Sequence, residues 1–344
     1  MKRPLISFPV LAYNQERFVR EAVEGAFSQT YAPLEIILSD DHSSDRTFEI
    51  MQEMAKLYDG PHHVILNHNE KNLGIGGHFN RIMELCHGEL IVPSAGDDIS
   101  LPERTAEVLD AWESSKRKPL YLISNVTVID EVGRQIGLLL PRGSHPDFSL
   151  RQLVEKRHNV WGCAQAWCRR SFSFFGPMLT PLIAEDMVIA FRSALIAPIA
   201  YIDKPLVLYR LHSRNVCDLT PLMADYTSFV SSLETLTRDL RSIYLNWLAD
   251  LSRVLNCGLI DPEQAHHLRE TVQKELSIAD KEIQLFRSSY KRKIRLLATL
   301  LSKQGPRRRL IFWIMLFLLP HLFRFYVRLR PRLKKSRATG SFQL

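Results

Sequence analysis

The first hundred residues alternate short apolar runs with segments whose apolar residues recur every three to four positions. Short apolar runs bounded by turn residues are typical of buried strands, whereas the longer period is typical of helices that pack on one face. The predicted strands are residues 5–12, 34–39, 64–66 and 90–93. The predicted helices are residues 16–27, 46–58 and 72–86. Three consecutive strand and helix units imply an α/β fold with a parallel sheet covered by helices.

Polar clusters follow three of these strands: Tyr13-Asn14 with Glu16, then Asp40-Asp41, then Asp97-Asp98. Each cluster alone is equally typical of a turn or a helix cap. Because ligands bind at the carboxyl ends of parallel strands, three clusters at one edge predict a binding site there. Paired carboxylates suit a divalent cation beside a phosphorylated ligand. Neither the dinucleotide glycine pattern nor a phosphate loop is present, so acids and a metal would have to hold a nucleotide.

The second half of the chain carries a different pattern. Residues 120–128 and 135–140 predict two strands joined by a turn at residues 130–133. Trp161 and Trp167 fit either a hydrophobic core or a sugar-stacking surface. Beyond residue 217 the strand signals stop, and residues 221–255 and 262–286 predict two helices. We therefore predict an α/β domain at residues 1–217, divided at 118/119 into two halves, a helical extension at 218–304, which could mediate a homodimer, and a tail at 305–344.

The net charge of +8 comes from the C-terminal end of the chain. Residues 283–344 contain 16 Lys or Arg and no Asp or Glu, while the preceding residues carry a net −8. This distribution argues against a nucleic-acid groove in the main domain. Five cysteines without a Cys-x-x-Cys pair, and an N-terminus lacking a signal-peptide pattern, predict a reducing, cytoplasmic environment.

The tail has a pattern of its own. Residues 310–319 are ten consecutive apolar residues with arginines on both sides, too few to span a bilayer. The pattern favours an amphipathic helix on an anionic membrane surface, on the inner face of the cell membrane; docking of this helix on the chain itself is the alternative. The side chains expected to enter the lipid are Phe312, Trp313, Phe317, Leu318, Phe323 and Phe325.

Several motifs resemble those of family 2 glycosyltransferases with the GT-A fold, a Rossmann-like mixed sheet flanked by helices. They are Pro9-x-x-Ala12-Tyr13-Asn14, Ser39-Asp40-Asp41-His42-Ser43-Ser44-Asp45, Asn72-x-Gly74 and Gly96-Asp97-Asp98, and the match continues to about residue 215. The chain departs from the family at His78-Phe79, where many members place an arginine before the asparagine matching Asn80.

The resemblance implies that residues 1–217 are a catalytic domain, with residues 1–118 as its nucleotide-sugar half and residues 119–217 as its acceptor half. It also implies a role for each matching residue. The nucleotide and its sugar would contact Ala12, Tyr13, Asn14, Glu16, Asp40, Asp41, Asn72, Gly74, Asp97 and Asp98. Of the last pair, Asp97 would face the ribose and Asp98 the metal, Mn²⁺ or Mg²⁺, and His212 of the Tyr-Arg-x-His motif would complete the metal shell. Asp186 would be the catalytic base and Glu185 a supporting or acceptor-binding residue, although acids in a first helical turn also complement the helix dipole.

The expected reaction is inverting, non-processive transfer of a hexosyl or deoxyhexosyl group from a UDP- or dTDP-sugar to a glycan or lipid-linked hydroxyl, as in polysaccharide biosynthesis. One carboxylate base and one metal suffice, because the cation neutralises the departing diphosphate. A nucleotide-sugar hydrolase and a non-catalytic nucleotide-sugar-binding module of the same fold are the alternatives.

Overall fold

The computed structural model describes residues 3–140, 148–156, 160–212, 215, 226–302, 312–314 and 316–318. The chain forms two compact units. The first unit contains Met1–His212 and Asn246–Arg269, and the second contains Ser213–Leu245 and Glu270–Leu344. Part of the segment predicted to be a separate helical extension therefore belongs to the first unit.

One mixed sheet organises the first unit. Its strands among the described residues are β1 (Ile6–Ala12), β2 (Leu34–Asp40), β3 (His63–His68), β4 (Leu90–Ile91), β5 (Ser94–Ala95), β6 (Ile99–Ser100), β7 (Tyr121–Ile129), β8 (Gln135–Leu139), β9 (Gln165–Cys168) and β10 (Ile199–Arg210). The order is β3-β2-β1-β4-β9-β7-β10-β6, with β5 beside β1 and β8 beside β7. Strands β1 to β5 pair in parallel, whereas β9, β8 and β6 run antiparallel to their neighbours.

Seven helices lie wholly in the described part of this unit: α1 (Val19–Phe27), α2 (Thr47–Leu57), α3 (Gly74–Leu85), α4 (Arg104–Ser114), α5 (Leu150–Lys156), α6 (Arg169–Phe175) and α7 (Glu185–Ile196). Each of the first three follows a parallel strand, which confirms the three predicted strand and helix units. Their apolar stripes are buried; in α1 the buried positions are Val19, Ala22, Val23 and Ala26.

The predicted strand at residues 90–93 is interrupted. Strand β4 ends at Ile91, and β5 begins at Ser94 beyond Pro93. Proline has no backbone N–H to donate to a strand neighbour, so pairing stops at this residue. The short strand β5 pairs with the last residues of β1 and carries the Gly96-Asp97-Asp98 loop to the edge of the sheet where β1 ends.

The second unit is helical in its described residues. Helix α8 (Tyr226–Asn256), helix α9 (Pro262–Arg287) and helix α10 (Tyr290–Ser302) confirm the two predicted helices and add a third. Residues 246–256 of α8 and 262–269 of α9 belong to the first unit. The core of the second unit contains Phe229, Ile278, Leu285, Leu297, Trp313, Leu316 and Phe317.

Two of the side chains assigned to the membrane are instead part of this core. Trp313 and Phe317 are buried, with their rings stacked at 5.5 Å between centroids. The indole N–H of Trp313 donates to the buried carboxylate of Glu282 at 2.6 Å. The lipid contact predicted for these two residues is therefore wrong, because the apolar run supplies the interior of the helical unit. Phe323 and Phe325 lie outside the described residues.

No helix in the described ranges is both long enough and apolar enough to cross a membrane. The cysteines Cys86, Cys163, Cys168 and Cys257 are free thiols, and Cys217 lies outside the described residues.

Candidate active site

The ends of three neighbouring strands form one edge, as the sequence predicts. Ala12 pairs with Asp40 in the next strand, and its carbonyl accepts the N–H of Asp41 at 2.9 Å. On the other side of β1, the N–H of Gly96 donates to the carbonyl of Leu11 at 2.8 Å. A Cβ on Gly96 would lie 2.7 Å from the Cβ of Ala12, so the acidic loop reaches β1 only because this residue is glycine. All three polar clusters therefore meet.

Asn14 and Glu16 hold the loop that follows β2. Asn14 has a positive φ of 52°, and its side-chain oxygen accepts the N–H of Ser44 at 2.8 Å. The carboxylate of Glu16 accepts the N–H of Arg46 at 3.1 Å. Tyr13, between β1 and these contacts, is 48% exposed. Of this cluster, Tyr13 has the most open side chain for a ligand.

Asp40 and Asp41 are buried and accept hydrogen bonds from their own chain. Asp40 accepts from Ser43 and from His68, whose Nδ1 lies 2.9 Å away. Asp41 accepts from the side chain of Asn69 and from the backbone N–H groups of Leu73 and Gly74. These two acids therefore fix the loops that begin α2 and α3. The amide oxygen of Asn72 also accepts the Gly74 N–H, at 2.9 Å.

Three histidines near these acids were not singled out from the sequence as site residues. His68 is exposed, and its ring lies 4.4 Å from Phe48 and 5.6 Å from His42. His78 is one of the two residues at which the chain departs from the family motif. It is buried, and its Nε2 lies 2.6 Å from the hydroxyl of Ser39. Burial lowers the pKa of His78, opposed by the charges of Asp41 and Asp40. The residues come from separate segments, so no local pattern marks them.

The two acids of the Gly96-Asp97-Asp98 loop face different partners. Oδ2 of Asp97 lies 2.9 Å from Nε2 of His212. Asp98 is buried, and its Oδ1 accepts the backbone N–H of Arg210 at 2.9 Å. Burial raises the pKa of Asp98 well above its ordinary value and the charge of Asp97 adds to this, while the Arg210 N–H opposes it. Asp97 is therefore the acid in contact with His212, whereas Asp98 contacts the backbone of Arg210.

Arg210 fixes the position of this loop. Its guanidinium is almost fully buried and donates to the carbonyls of Asp97 and Glu131, each at 3.1 Å. It also donates to the carboxylate of Glu21 at 2.9 Å and lies 5.0 Å from the ring centroid of Phe18. Arginine's planar fork of donors suits this set of acceptors. Arg210 lies within the Tyr-Arg-x-His motif, but nothing in its sequence context indicates this role.

A cation shared with a substrate would fit at Asp97 and His212. Within the described residues, no group of three or more His, Cys, Asp or Glu side chains forms a metal centre. A carboxylate oxygen and an imidazole nitrogen already converge here, and Mg²⁺ commonly takes one or two carboxylates with the remaining positions filled by phosphate oxygens and water. The residues present therefore suit a divalent ion that the substrate diphosphate completes.

The second acid pair begins α7. Glu185 is buried and its Oε1 accepts the side-chain N–H of Gln165 at 3.0 Å, while the hydroxyl of Tyr121 donates to the other end of Gln165 at 3.3 Å. Gly162, in the 3₁₀ turn Gly162–Ala164, lies beside both acids; a Cβ there would be 3.3 Å from Oε1 of Glu185 and 3.4 Å from Oδ2 of Asp186. Gln165 is fully buried and was missed from the sequence, where nothing distinguishes it from other strand residues.

Cys163 links the two acid pairs in space. Burial raises the pKa of its thiol well above the ordinary value, and the carboxylates of Asp98, Asp186 and Asp97 raise it further. Arg104 opposes this effect and donates to the carbonyls of Cys163 and Gln165 at 3.0 and 3.1 Å. Burial also lowers the pKa of Arg104 to about 10. The segment from Gly162 to Gln165 therefore contacts both Arg104 and the α7 acids. Trp167, two residues beyond this segment in β9, is a core residue.

Comparisons with known proteins show what the chain resembles. The model of the family described as "Glycosyl transferase family 2" matches residues 7–173. The chain is 28% identical to chondroitin synthase of Escherichia coli over 215 residues, which cover 62% of this chain and 30% of that protein. The chain spans less than two thirds of the length of the curated relatives it matches.

Two solved structures share the fold. The structure of S. aureus TarS 1–349 in complex with UDP-GlcNAc has a TM-score of 0.52 at 15% identity, covering 85% of this chain and 83% of that one. Mannosyltransferase PcManGT from Pyrobaculum calidifontis, in complex with GDP-Man and Mn²⁺, has a TM-score of 0.50 at 13% identity, covering 88% of each chain. The mixed sheet and the motifs at its edge agree with these comparisons: residues 7–173 match the model of glycosyl transferase family 2, and the chain has the GT-A fold.

Proposed function

We propose that this glycosyltransferase moves a sugar from a nucleoside-diphosphate sugar to a hydroxyl group of a glycan or lipid-linked acceptor, with inversion at the anomeric carbon. The family match and the nucleotide sugars held by the two structural neighbours support the donor class. The observation that carries the proposal is the meeting of the polar clusters at one edge of the sheet, where the N–H of Asp41 donates to the carbonyl of Ala12 and the N–H of Gly96 to that of Leu11.

In this proposal the donor diphosphate binds beside Asp97 and His212. These two side chains would hold a divalent cation, Mn²⁺ or Mg²⁺, which would supply positive charge to the leaving diphosphate. The guanidinium of Arg210 donates to the backbone carbonyl of Asp97 and so holds this loop in place. Asn14, Asp40, Asp41 and Glu16 shape the surrounding loops, and Tyr13 offers an open ring to the nucleotide.

Asp186 is the base in this proposal. As the acceptor oxygen attacks the anomeric carbon, its proton passes to the Asp186 carboxylate, and the bond from the anomeric carbon to the phosphate oxygen breaks with its electron pair on the diphosphate. Attack from the face opposite the leaving group inverts the configuration. Glu185, held by Gln165, lies next to this base at the start of α7 and would bind the acceptor.

The test begins with the binding of ligands to the whole chain. UDP, dTDP and GDP, and their sugars, would be screened by thermal shift with and without Mn²⁺, since a ligand that binds the folded state raises Tm. Release of the nucleoside diphosphate from each binding sugar nucleotide is then measured with mixed glycan and polyprenol-linked acceptors. We expect acceptor-dependent release in the wild type and a loss of about a hundredfold or more in Asp186→Asn.

Three outcomes would oppose the proposal. Release that needs no acceptor would indicate a nucleotide-sugar hydrolase. Nucleotide binding without release across the whole panel would indicate a binding module. Equal release by the wild type and Asp186→Asn would remove Asp186 from the role of base.

A further inference from the structure

Helix α10 has one face in the core of the second unit and another in solvent. Leu297 is buried against that core, and the Nζ of Lys293 lies 4.5 Å from the ring centroid of Phe317. Tyr290 is 60% and Ile294 45% exposed, although both are large apolar side chains. Residues four apart lie side by side on a helix, so Tyr290 and Ile294 form one exposed row.

A basic row lies beside this apolar row. Lys291 and Arg295, again four residues apart, are exposed, as is Arg292. Residues 283–302 contain five Lys or Arg and no Asp or Glu. Arg287 at the end of α9 has a carboxylate partner, Glu234 at 3.1 Å, whereas the described part of the chain offers none to Lys291, Arg292 or Arg295.

We propose that the outer face of α10, formed by Tyr290, Lys291, Arg292, Ile294 and Arg295, binds the surface of a bilayer that contains anionic phospholipids. The cations would attract the lipid phosphates, while Tyr290 and Ile294 would enter the boundary between head groups and acyl chains. Charge alone would suit any polyanion; the exposed apolar row within the basic surface is what favours a lipid surface. This site is distinct from the catalytic residues and from the buried Trp313 and Phe317.

The inference is tested by sedimentation of the full chain with vesicles. Two vesicle types are compared, phosphatidylcholine alone and phosphatidylcholine with about one third phosphatidylglycerol. We expect binding only to the anionic vesicles, and less of it at high salt because salt screens exposed charges. The variant Lys291→Gln/Arg292→Gln/Arg295→Gln should bind about a hundredfold more weakly, since each basic residue near an anionic surface contributes roughly a fivefold gain in affinity.

A matched variant removes three charges elsewhere. Lys56, Lys116 and Lys118 are exposed on the first unit, and their replacement by glutamine should leave vesicle binding within about twofold of the wild type. A second variant, Tyr290→Ser/Ile294→Ser, keeps every charge and should still weaken vesicle binding several-fold, because the apolar row no longer enters the lipid boundary. Thermal shift with a nucleoside diphosphate should be unchanged in all variants, so this test is independent of the proposed function.

Vesicle binding by the α10 charge variant equal to that of the wild type would overturn the proposal. Equal losses of vesicle binding in the α10 charge variant and in the control variant would also overturn it, because binding would then depend on net charge and not on the α10 face. Unchanged vesicle binding by Tyr290→Ser/Ile294→Ser, together with charge-dependent binding to RNA, would assign the surface to a nucleic acid instead.

Discussion

Nε2 of His212 lies 2.9 Å from Oδ2 of Asp97, joining the residue two positions beyond β10 to the loop that follows β5. If both atoms bind a divalent cation, His212→Gln should weaken the Mn²⁺ response by tenfold or more, since even outer-shell changes at metal sites cost about 10- to 100-fold in affinity. The measurement is a Mn²⁺ titration of Tm in the presence of UDP. His63→Gln, at an exposed histidine of β3, is the control and should respond like the wild type.

The neighbouring acids are expected to behave differently. Asp97→Asn should abolish the Mn²⁺-dependent rise in Tm with nucleotide. Asp98→Asn should retain it, because an asparagine oxygen still accepts the Arg210 N–H and burial already disfavours the charged form of Asp98. The same titration tests both variants. In the reverse result, Asp98→Asn would lose the Mn²⁺-dependent rise in Tm and Asp97→Asn would keep it. That result would support the metal role that the sequence suggests for Asp98.

Gln165 is expected to act through Glu185. In Gln165→Leu the carboxylate of Glu185 loses a donor at 3.0 Å, and its altered position should lower kcat for nucleoside-diphosphate release by roughly 10- to 100-fold. KM for the donor should change little, because Asp97 and His212 are untouched. Gln52→Leu, on the exposed side of α2, provides a control. A fall in Tm with kcat unchanged would limit Gln165 to a structural role.

Gly96 should tolerate no side chain. In Gly96→Ala the new Cβ would stand 2.5 Å from Oε1 of Gln15 and 2.7 Å from the Cβ of Ala12, which predicts a loss of about 1–3 kcal/mol in the free energy of unfolding. Nucleotide binding should weaken too, since the acidic loop must move. Urea unfolding measures the first effect. Gly137→Ala on β8, where the Cβ meets no atom within 4 Å, should change stability by less than about 0.5 kcal/mol.

Asp250 should make stability depend on pH. Burial raises its pKa to about 6, opposed by Arg192, whose Nε donates to it at 2.8 Å. Because the ordinary value is 3.8, folding takes up a proton between about pH 4 and pH 6, and the associated stability is lost as pH rises through this window. The full effect is about 3 kcal/mol. Urea unfolding at several pH values should therefore show a steeper decline for the wild type than for Asp250→Asn; parallel curves would contradict the assignment.

The sequence predicts local structure and the edge of the site well, because apolar periods mark strands and helices and parallel strands end together. It does not predict the direction of a side chain within a loop, so the contact between Asp97 and His212 could not be foreseen, and the roles of Asp97 and Asp98 stay predictions. Gln165 and Arg210 were missed for another reason. Each forms a hydrogen bond with a partner at least 20 positions away, Glu185 for Gln165 and Glu21 for Arg210. The sequence around a single strand residue does not indicate such a long-range hydrogen bond.

The C-terminal half shows a further limit. An apolar run flanked by arginines has the same pattern whether it faces lipid or completes a helical core, and Trp313 and Phe317 lie in a core. Likewise, the helical pattern of α8 gives no sign that its last turns belong with the first unit. There Asn246 accepts the N–H of Leu179 and Trp247 donates to the carbonyl of Met187.

The thiol of Cys163 can serve as a chemical probe of the site. Alkylating reagents attack thiolates, and the raised pKa of the half-buried Cys163 thiol keeps it protonated and slow to react. Cys257 is exposed and would be alkylated at once, which supplies an internal reference on the same chain. The ratio of the two labelling rates would therefore report on the surroundings of Cys163, and a bound nucleotide sugar would be read as a slowing of Cys163 alone.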